Sequence, residues 1–130
     1  MSGEAPQRAF ILVVEDNLAN QVLIQFTLES SGYQVEVAGS AQGALASLER
    51  RRPDLILMDI QLPGQDGLSL TRQLKADPAV RAIPVVALTA RAMAGDRELA
   101  LAAGCSGYIA KPIDTRTIAD EVDHFLRSGK

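Results

Sequence analysis

The strongest constraint in this sequence is a set of three short, uninterrupted apolar runs, at Phe10–Val14, 55–58 and 84–88, separated by longer stretches of helical character. A strand wetted on one face alternates apolar with polar residues, whereas a strand covered on both faces reads as a continuous apolar run. The three runs are therefore read as central strands of a sheet with helices on both sides. Two more strands are expected at 33–37 and 108–110. The first alternates as Tyr-Gln-Val-Glu-Val and the second is short, which places both at edges.

Helices fill the intervals. Residues 17–31 read as a helix closed by Gly32 in a left-handed cap. Ser40 is placed as the N-cap of a helix running to about Arg51. A third helix follows 64–67 and ends near Asp77-Pro78, a fourth ends at Ala103-Gly104, and the last starts at Asp114 or Thr115. Five strands alternating with five helices define an α/β fold, a flavodoxin-like doubly wound parallel sheet. Right-handed crossovers with strands two and five at the edges allow the order 2-1-3-4-5. A chain of 130 residues suits one domain over 9–130. The small polar segment 1–8 reads as a loose tail.

Composition excludes some functions. The net charge of −3 and a pI near 5.1 give no basic face for nucleic acid. Arg50, Arg51 and Arg52 read as a solvated helix end. No apolar run is long enough for a bilayer, so no membrane is expected, and 1–8 has no signal-peptide pattern. One cysteine, Cys105, forms no internal disulfide, and a cytoplasmic location fits best.

Polar residues follow four of the strands: Glu15 and Asp16 after the first, Asp59 after the third, Thr89 at the end of the fourth and Lys111 at the end of the fifth. In a parallel sheet these ends share one edge, where ligands bind. Each residue alone has a plainer explanation, since acids after strands cap helices and Lys111-Pro112 is a turn. The conjunction at four strand ends is what that explanation leaves over. Three neighbouring carboxylates repel one another unless a cation neutralises them, and oxygen ligands beside a phosphate select Mg²⁺. A carboxylate nucleophile, a divalent metal, a lysine and a hydroxyl together make a phosphoryl-transfer site.

The strings Val14-Glu15-Asp16-Asn17, Leu55-Ile56-Leu57-Met58-Asp59-Ile60-Gln61-Leu62-Pro63-Gly64, Pro84-Val85-Val86-Ala87-Leu88-Thr89-Ala90 and Gly107-Tyr108-Ile109-Ala110-Lys111-Pro112 resemble the response-regulator receiver family of two-component signalling. The likeness spans about residues 9–128 and is greatest to single-domain receivers of the cell-cycle-regulator type and to receivers of hybrid histidine kinases. The resemblance implies that Asp59 accepts the phosphoryl group. It implies that Asp16 binds Mg²⁺ directly, that Glu15 does so mostly through water, and that the Gln61 backbone carbonyl is a further ligand. Thr89 would be the switch hydroxyl, Tyr108 the switch aromatic and Lys111 the phosphoryl partner, with a cis bond to Pro112. Glu15 stands where many members carry Asp. Gln61 and Arg91 occupy positions that influence the rate of phosphoryl loss in this family.

The implied partners are a sensor histidine kinase or a histidine phosphotransfer protein, and a downstream protein target. The first helix carries two apolar stripes. The resemblance assigns Leu23, Ile24 and Leu28 to the core, which leaves Leu18, Val22 and Phe26 as an expected partner surface. His124 is expected in solvent and Cys105 in a packed turn. Two other functions meet obstacles. An aspartate-nucleophile phosphatase needs a second acid two residues after Asp59, where Gln61 stands. A flavodoxin-like cofactor module needs a phosphate loop where Glu15 and Asp16 would repel the phosphate.

Overall fold

The protein is described from a computed structural model over residues 9–62, 66–90 and 94–128. The segment 1–8, residues 64 and 65 of the 64–67 loop and Arg91 lie outside the described residues. The elements run β1 (Phe10–Val14), α1 (Leu18–Ser30), β2 (Gln34–Ala38), α2 (Ala41–Arg50), β3 (Leu55–Asp59), α3 (Gly67–Lys75), β4 (Val85–Thr89), α4 (Ala94–Ala103), β5 (Gly107–Ala110) and α5 (Ile118–Ser128). The five strands form one parallel sheet in the order β2-β1-β3-β4-β5, as the sequence predicts. Register pairs Val14 with Ala38 and Met58, Asp59 with Leu88, and Thr89 with Ala110, so the polar strand ends emerge together on one edge.

Side-chain alternation along the strands divides the core in two. Leu12, Val14, Ile56, Met58, Val85 and Ala87 pack with Ala41, Ala44, Leu70, Leu74 and Ala100, which belong to α2, α3 and α4. Ile11, Val13, Leu55, Leu57, Val86 and Leu88 pack with Ile24 and Leu28 of α1 and Ile118 and Val122 of α5. Every residue of β1, β3 and β4 is buried, which is what their continuous apolar sequence demands. The edge strand β2 is half-buried up to Val37.

Local signals set the helix ends. Asn17 Oδ1 accepts from the Asn20 N–H at 3.0 Å, Ser40 Oγ from the Gly43 N–H at 3.0 Å, and Asp66 Oδ1 from the Ser69 N–H at 2.7 Å. Gly32 adopts φ 97° after α1 and Gly104 φ 110° after α4, a region where a Cβ is strained. Gly67 matters for another reason. A Cβ there would lie 2.1 Å from the Asp59 carbonyl oxygen, so only glycine lets α3 start against the end of β3.

Several expectations need correction. Leu23 is not core: it is 37% exposed, while Ile24 and Leu28 are fully buried. Ile24 and Leu28 point about 40° apart and set the direction of the sheet, and Leu23, about 100° to the far side of Ile24, falls at the margin of that face. The last helix starts at Ile118, later than expected. Asp114 first holds a turn, its carboxylate accepting from the Arg116 N–H at 2.9 Å and its carbonyl from Thr117 and Ile118. The three arginines are exposed, as a solvated helix end predicts, and each also has a partner. Arg50 pairs with Glu36, Arg51 donates to Gln34 and stacks on the Phe10 ring, and Arg52 donates to the Ala79 carbonyl. Among the described residues no helix is long and apolar enough to cross a membrane.

Candidate functional site

The site lies where β1, β3, β4 and β5 end. Asp59 is the last residue of β3 and is only 4% exposed, and Glu15, which directly follows β1, is fully buried. Asp16 beside it is exposed. One carboxylate oxygen from each of Glu15, Asp16 and Asp59 lies within 4.8 Å of the others. Such crowding comes from topology, since Asp59 ends β3 and the consecutive Glu15 and Asp16 follow its neighbour β1.

Lys111 bridges two of the acids. Its Nζ lies 2.8 Å from Glu15 Oε1 and 3.2 Å from Asp59 Oδ2. The β5 end is tied to β4 by the Lys111 N–H, which donates to the Thr89 carbonyl at 2.8 Å, and the bond between Lys111 and Pro112 is cis. Backbone donors fix the remaining oxygens. The Gln61 N–H donates to Asp59 Oδ1 at 2.9 Å, and the Asn17 N–H to Glu15 Oε2 at 3.0 Å. Thr89 is buried at 5% exposure on the next strand end, and Tyr108 is half-buried against the side of the core formed with α2, α3 and α4.

Electrostatics follow from this burial. Burial pushes the Asp59 carboxyl above its ordinary value and the charge of Glu15 adds to the rise, while the Gln61 N–H and Lys111 pull it back. For Lys111, burial alone would lower the ammonium pKa. Hydrogen bonds and charge from Glu15 and Asp59 outweigh it, and the net shift is upward. The cluster thus sets three carboxylates against one ammonium, with Glu15 and Asp59 buried and Asp16 open to solvent. Glu15 Oε1 is buried, makes no well-angled hydrogen bond among the described residues, and has the Lys111 ammonium as its charge partner. A hard divalent cation fits this all-oxygen donor set, and Mg²⁺ suits one or two protein carboxylates with waters and a phosphate completing its shell.

All five residues picked from the strand ends, Glu15, Asp16, Asp59, Thr89 and Lys111, therefore lie on this one edge. Leu18, Val22 and Phe26 sit on the solvent side of α1, at 72%, 59% and 70% exposure. The sequence reading missed Gln21, whose side-chain Nε2 donates to the Glu15 backbone carbonyl at 2.6 Å. Its position on a helix next to apolar residues gives no sign of that contact.

A parallel five-stranded sheet with an acid triad and a lysine at its C-terminal edge defines a class of phospho-accepting signalling modules. The chain belongs to the response regulator receiver domain family, whose model matches residues 11–123. It is 43% identical over 116 residues to the polar-differentiation response regulator DivK of Brucella anthropi, covering 89% of this chain and 94% of that protein. Among solved structures it resembles the receiver domain of a sensor histidine kinase from Pseudomonas aeruginosa, described with a magnesium ion coordinated in the active-site cleft. There the identity is 43% and the TM-score 0.79, over 92% of this chain and 95% of that one. The receiver domain of a signal transduction histidine kinase from Syntrophus aciditrophicus gives 35% identity and a TM-score of 0.83, over 93% and 92%. The protein is a receiver of two-component signalling, a family that works by Mg²⁺-dependent phosphorylation of an aspartate.

Proposed function

We propose that Asp59 is the phosphoacceptor and that Glu15, Asp16, Asp59 and the Gln61 carbonyl hold Mg²⁺ beside it. The observation that carries this reading is the convergence of three carboxylates within 4.8 Å under one lysine. A carboxylate oxygen of Asp59 attacks phosphorus, and the bond from phosphorus to the donor's leaving group breaks as the new bond forms. Bound Mg²⁺ would neutralise charge on the phosphoryl oxygens during transfer. Lys111 leaves Asp59 Oδ2 for a phosphoryl oxygen and keeps its charge opposite the new anion. Thr89 supplies a hydroxyl donor to the same group, and Tyr108 follows into the space that Thr89 vacates. A phosphoryl group adds roughly −1.5 to −2 charges, enough to bias such a two-position surface.

The chain acts as a single signalling domain over 9–130, in the cytoplasm. It catalyses only its own phosphorylation and slow dephosphorylation. Its phosphate comes from a sensor histidine kinase or a histidine phosphotransfer protein, and its output is a contact with a downstream protein. Leu18, Val22 and Phe26 form the surface for the donor, because Leu18 opens α1 two residues after Asp16 and the three expose apolar area on a helix that buries Ile24 and Leu28 against the sheet. The test is incubation with acetyl phosphate and Mg²⁺ followed by intact-mass measurement. One phosphoryl adduct on the wild type and none on Asp59→Asn is expected, and equal labelling of that variant refutes the assignment.

A further inference from the structure

We propose that Gln21 is a positioning residue that sets the preference of the acid cluster for Mg²⁺ by fixing the backbone that carries Asp16. The inference rests on the reading of this cluster as a metal site. Two of the three carboxylates are held by their own contacts. Glu15 is held by the Asn17 N–H at 3.0 Å and Lys111 at 2.8 Å, and Asp59 by the Gln61 N–H at 2.9 Å and Lys111 at 3.2 Å. The Asp16 side chain has neither a hydrogen bond nor an ion pair among the described residues, and it is exposed. Its carboxylate is therefore aimed by its backbone alone.

That backbone is clamped. The peptide unit joining Glu15 to Asp16 offers its carbonyl to Gln21 Nε2 at 2.6 Å, and the unit before it is fixed by the Glu15 N–H donating to the Ala38 carbonyl at 3.0 Å. The same amide lies against the loop after β2, where a Cβ added at Gly39 would sit 3.5 Å from Nε2. Gln21 thus ties α1 to the loop after β1 and packs on the loop after β2. Mg²⁺ demands near-ideal octahedral geometry, at about 2.0–2.1 Å, whereas Ca²⁺ accepts a looser shell at about 2.3–2.6 Å. Freeing the Asp16 arm harms the smaller ion more.

Titration calorimetry of the full chain with Mg²⁺ and with Ca²⁺ tests this in Gln21→Met, which keeps the length and removes the donor. Mg²⁺ affinity should fall about five- to tenfold, the worth of one hydrogen bond. Ca²⁺ affinity should fall less than about twofold, and the urea midpoint without metal should fall by no more than the roughly 0.7 M that one hydrogen bond is worth. In an Asp16→Asn background the Gln21→Met effect on Mg²⁺ should vanish, because it acts through Asp16. Equal losses for the two ions, or a persistent effect in the Asp16→Asn background, would assign Gln21 a merely structural role and overturn the proposal. A wild-type chain that binds no Mg²⁺ overturns the metal site and this inference with it. Full Mg²⁺ affinity in Gln21→Met overturns the inference alone.

Discussion

Gly67→Ala separates two physical arguments that predict opposite signs. Helix propensity favours alanine over glycine in a helix by about 0.5–1 kcal/mol. Packing says otherwise. The new Cβ would sit 2.1 Å from the Asp59 carbonyl oxygen and 2.8 Å from both the Asp59 carbonyl carbon and Ile60 Cα. Carbon and oxygen in ordinary contact stay roughly 3.3 Å apart, so the start of α3 must retreat by on the order of 1 Å. That retreat stretches the bond from the Gly67 N–H to the Ile60 carbonyl, now 3.1 Å, and unseats the fully buried Leu70. Overpacking costs about 1–3 kcal/mol and a lost hydrogen bond about 1 kcal/mol. Against the propensity gain, the net is a loss of about 1–3.5 kcal/mol. With an m-value near 1.5 kcal/mol per M, the urea midpoint falls by roughly 0.7–2.3 M. Gly43→Ala is the control, because its Cβ would meet Ser40 Oγ at 3.4 Å and Ala38 Cβ at 3.5 Å, both ordinary contacts. It should be neutral or stabilising by up to about 1 kcal/mol. Equilibrium urea denaturation followed by far-UV circular dichroism reads both. A Gly67→Ala midpoint at or above wild type would refute the packing argument.

Three further outcomes follow from the same geometry. The Asp59 pKa is raised, so its ionisation opposes folding: its favourable contribution exists below the ordinary value of 3.8 and is lost as pH rises through the folded value. Asp59→Asn should therefore melt higher than wild type at pH 7 in EDTA, and it should gain less than the roughly 2.7 kcal/mol that a Mg²⁺ concentration of about 100 Kd gives the wild type; an unchanged melting temperature in EDTA contradicts the burial argument. Glu36 is depressed, first by the Ser47 hydroxyl at 2.8 Å and then by Arg50, so its contribution holds above 4.5 and fades as pH falls through the lower folded value. Because the pair is partly exposed, Glu36→Gln should cost under about 1 kcal/mol at pH 7, with the difference from wild type shrinking in acid; a cost that grows on acidification gives the wrong sign. Phe26→Ala should keep stability within about 0.5 kcal/mol and label normally with acetyl phosphate, while transfer from its phosphohistidine donor drops; a loss of several kcal/mol would mark Phe26 as core.

The central strands were readable because burial on both faces leaves no polar position in Phe10–Val14 or Leu55–Met58. The site was readable because a parallel sheet brings strand ends together whatever their spacing in sequence. Helix faces were less legible. In α1 the apolar residues Leu18, Val22, Leu23, Ile24, Phe26 and Leu28 surround much of the helix, so periodicity alone does not choose a face, and Leu23 was misplaced. Contacts made by unremarkable polar residues were not legible at all. Gln21 reaches the Glu15 carbonyl, and Arg50, Arg51 and Arg52 find three separate partners, because long side chains choose partners in space that spacing does not encode.

The alternation that divides the core also makes the sheet a partition. Leu57 and Met58 are neighbours in sequence, yet they belong to compartments that share no side chains. A void opened by shortening Leu57 can be refilled only by residues such as Ile24, Leu28, Ile118 and Val122, and one opened at Met58 only by Leu70, Leu74 and their side of the sheet. Volume lost on one side cannot be recovered from the other, since backbone strands about 4.8 Å apart leave no gap for a side chain to cross. The chain therefore carries two cores that can be repacked, redesigned or damaged almost independently, with the acid edge resting on both.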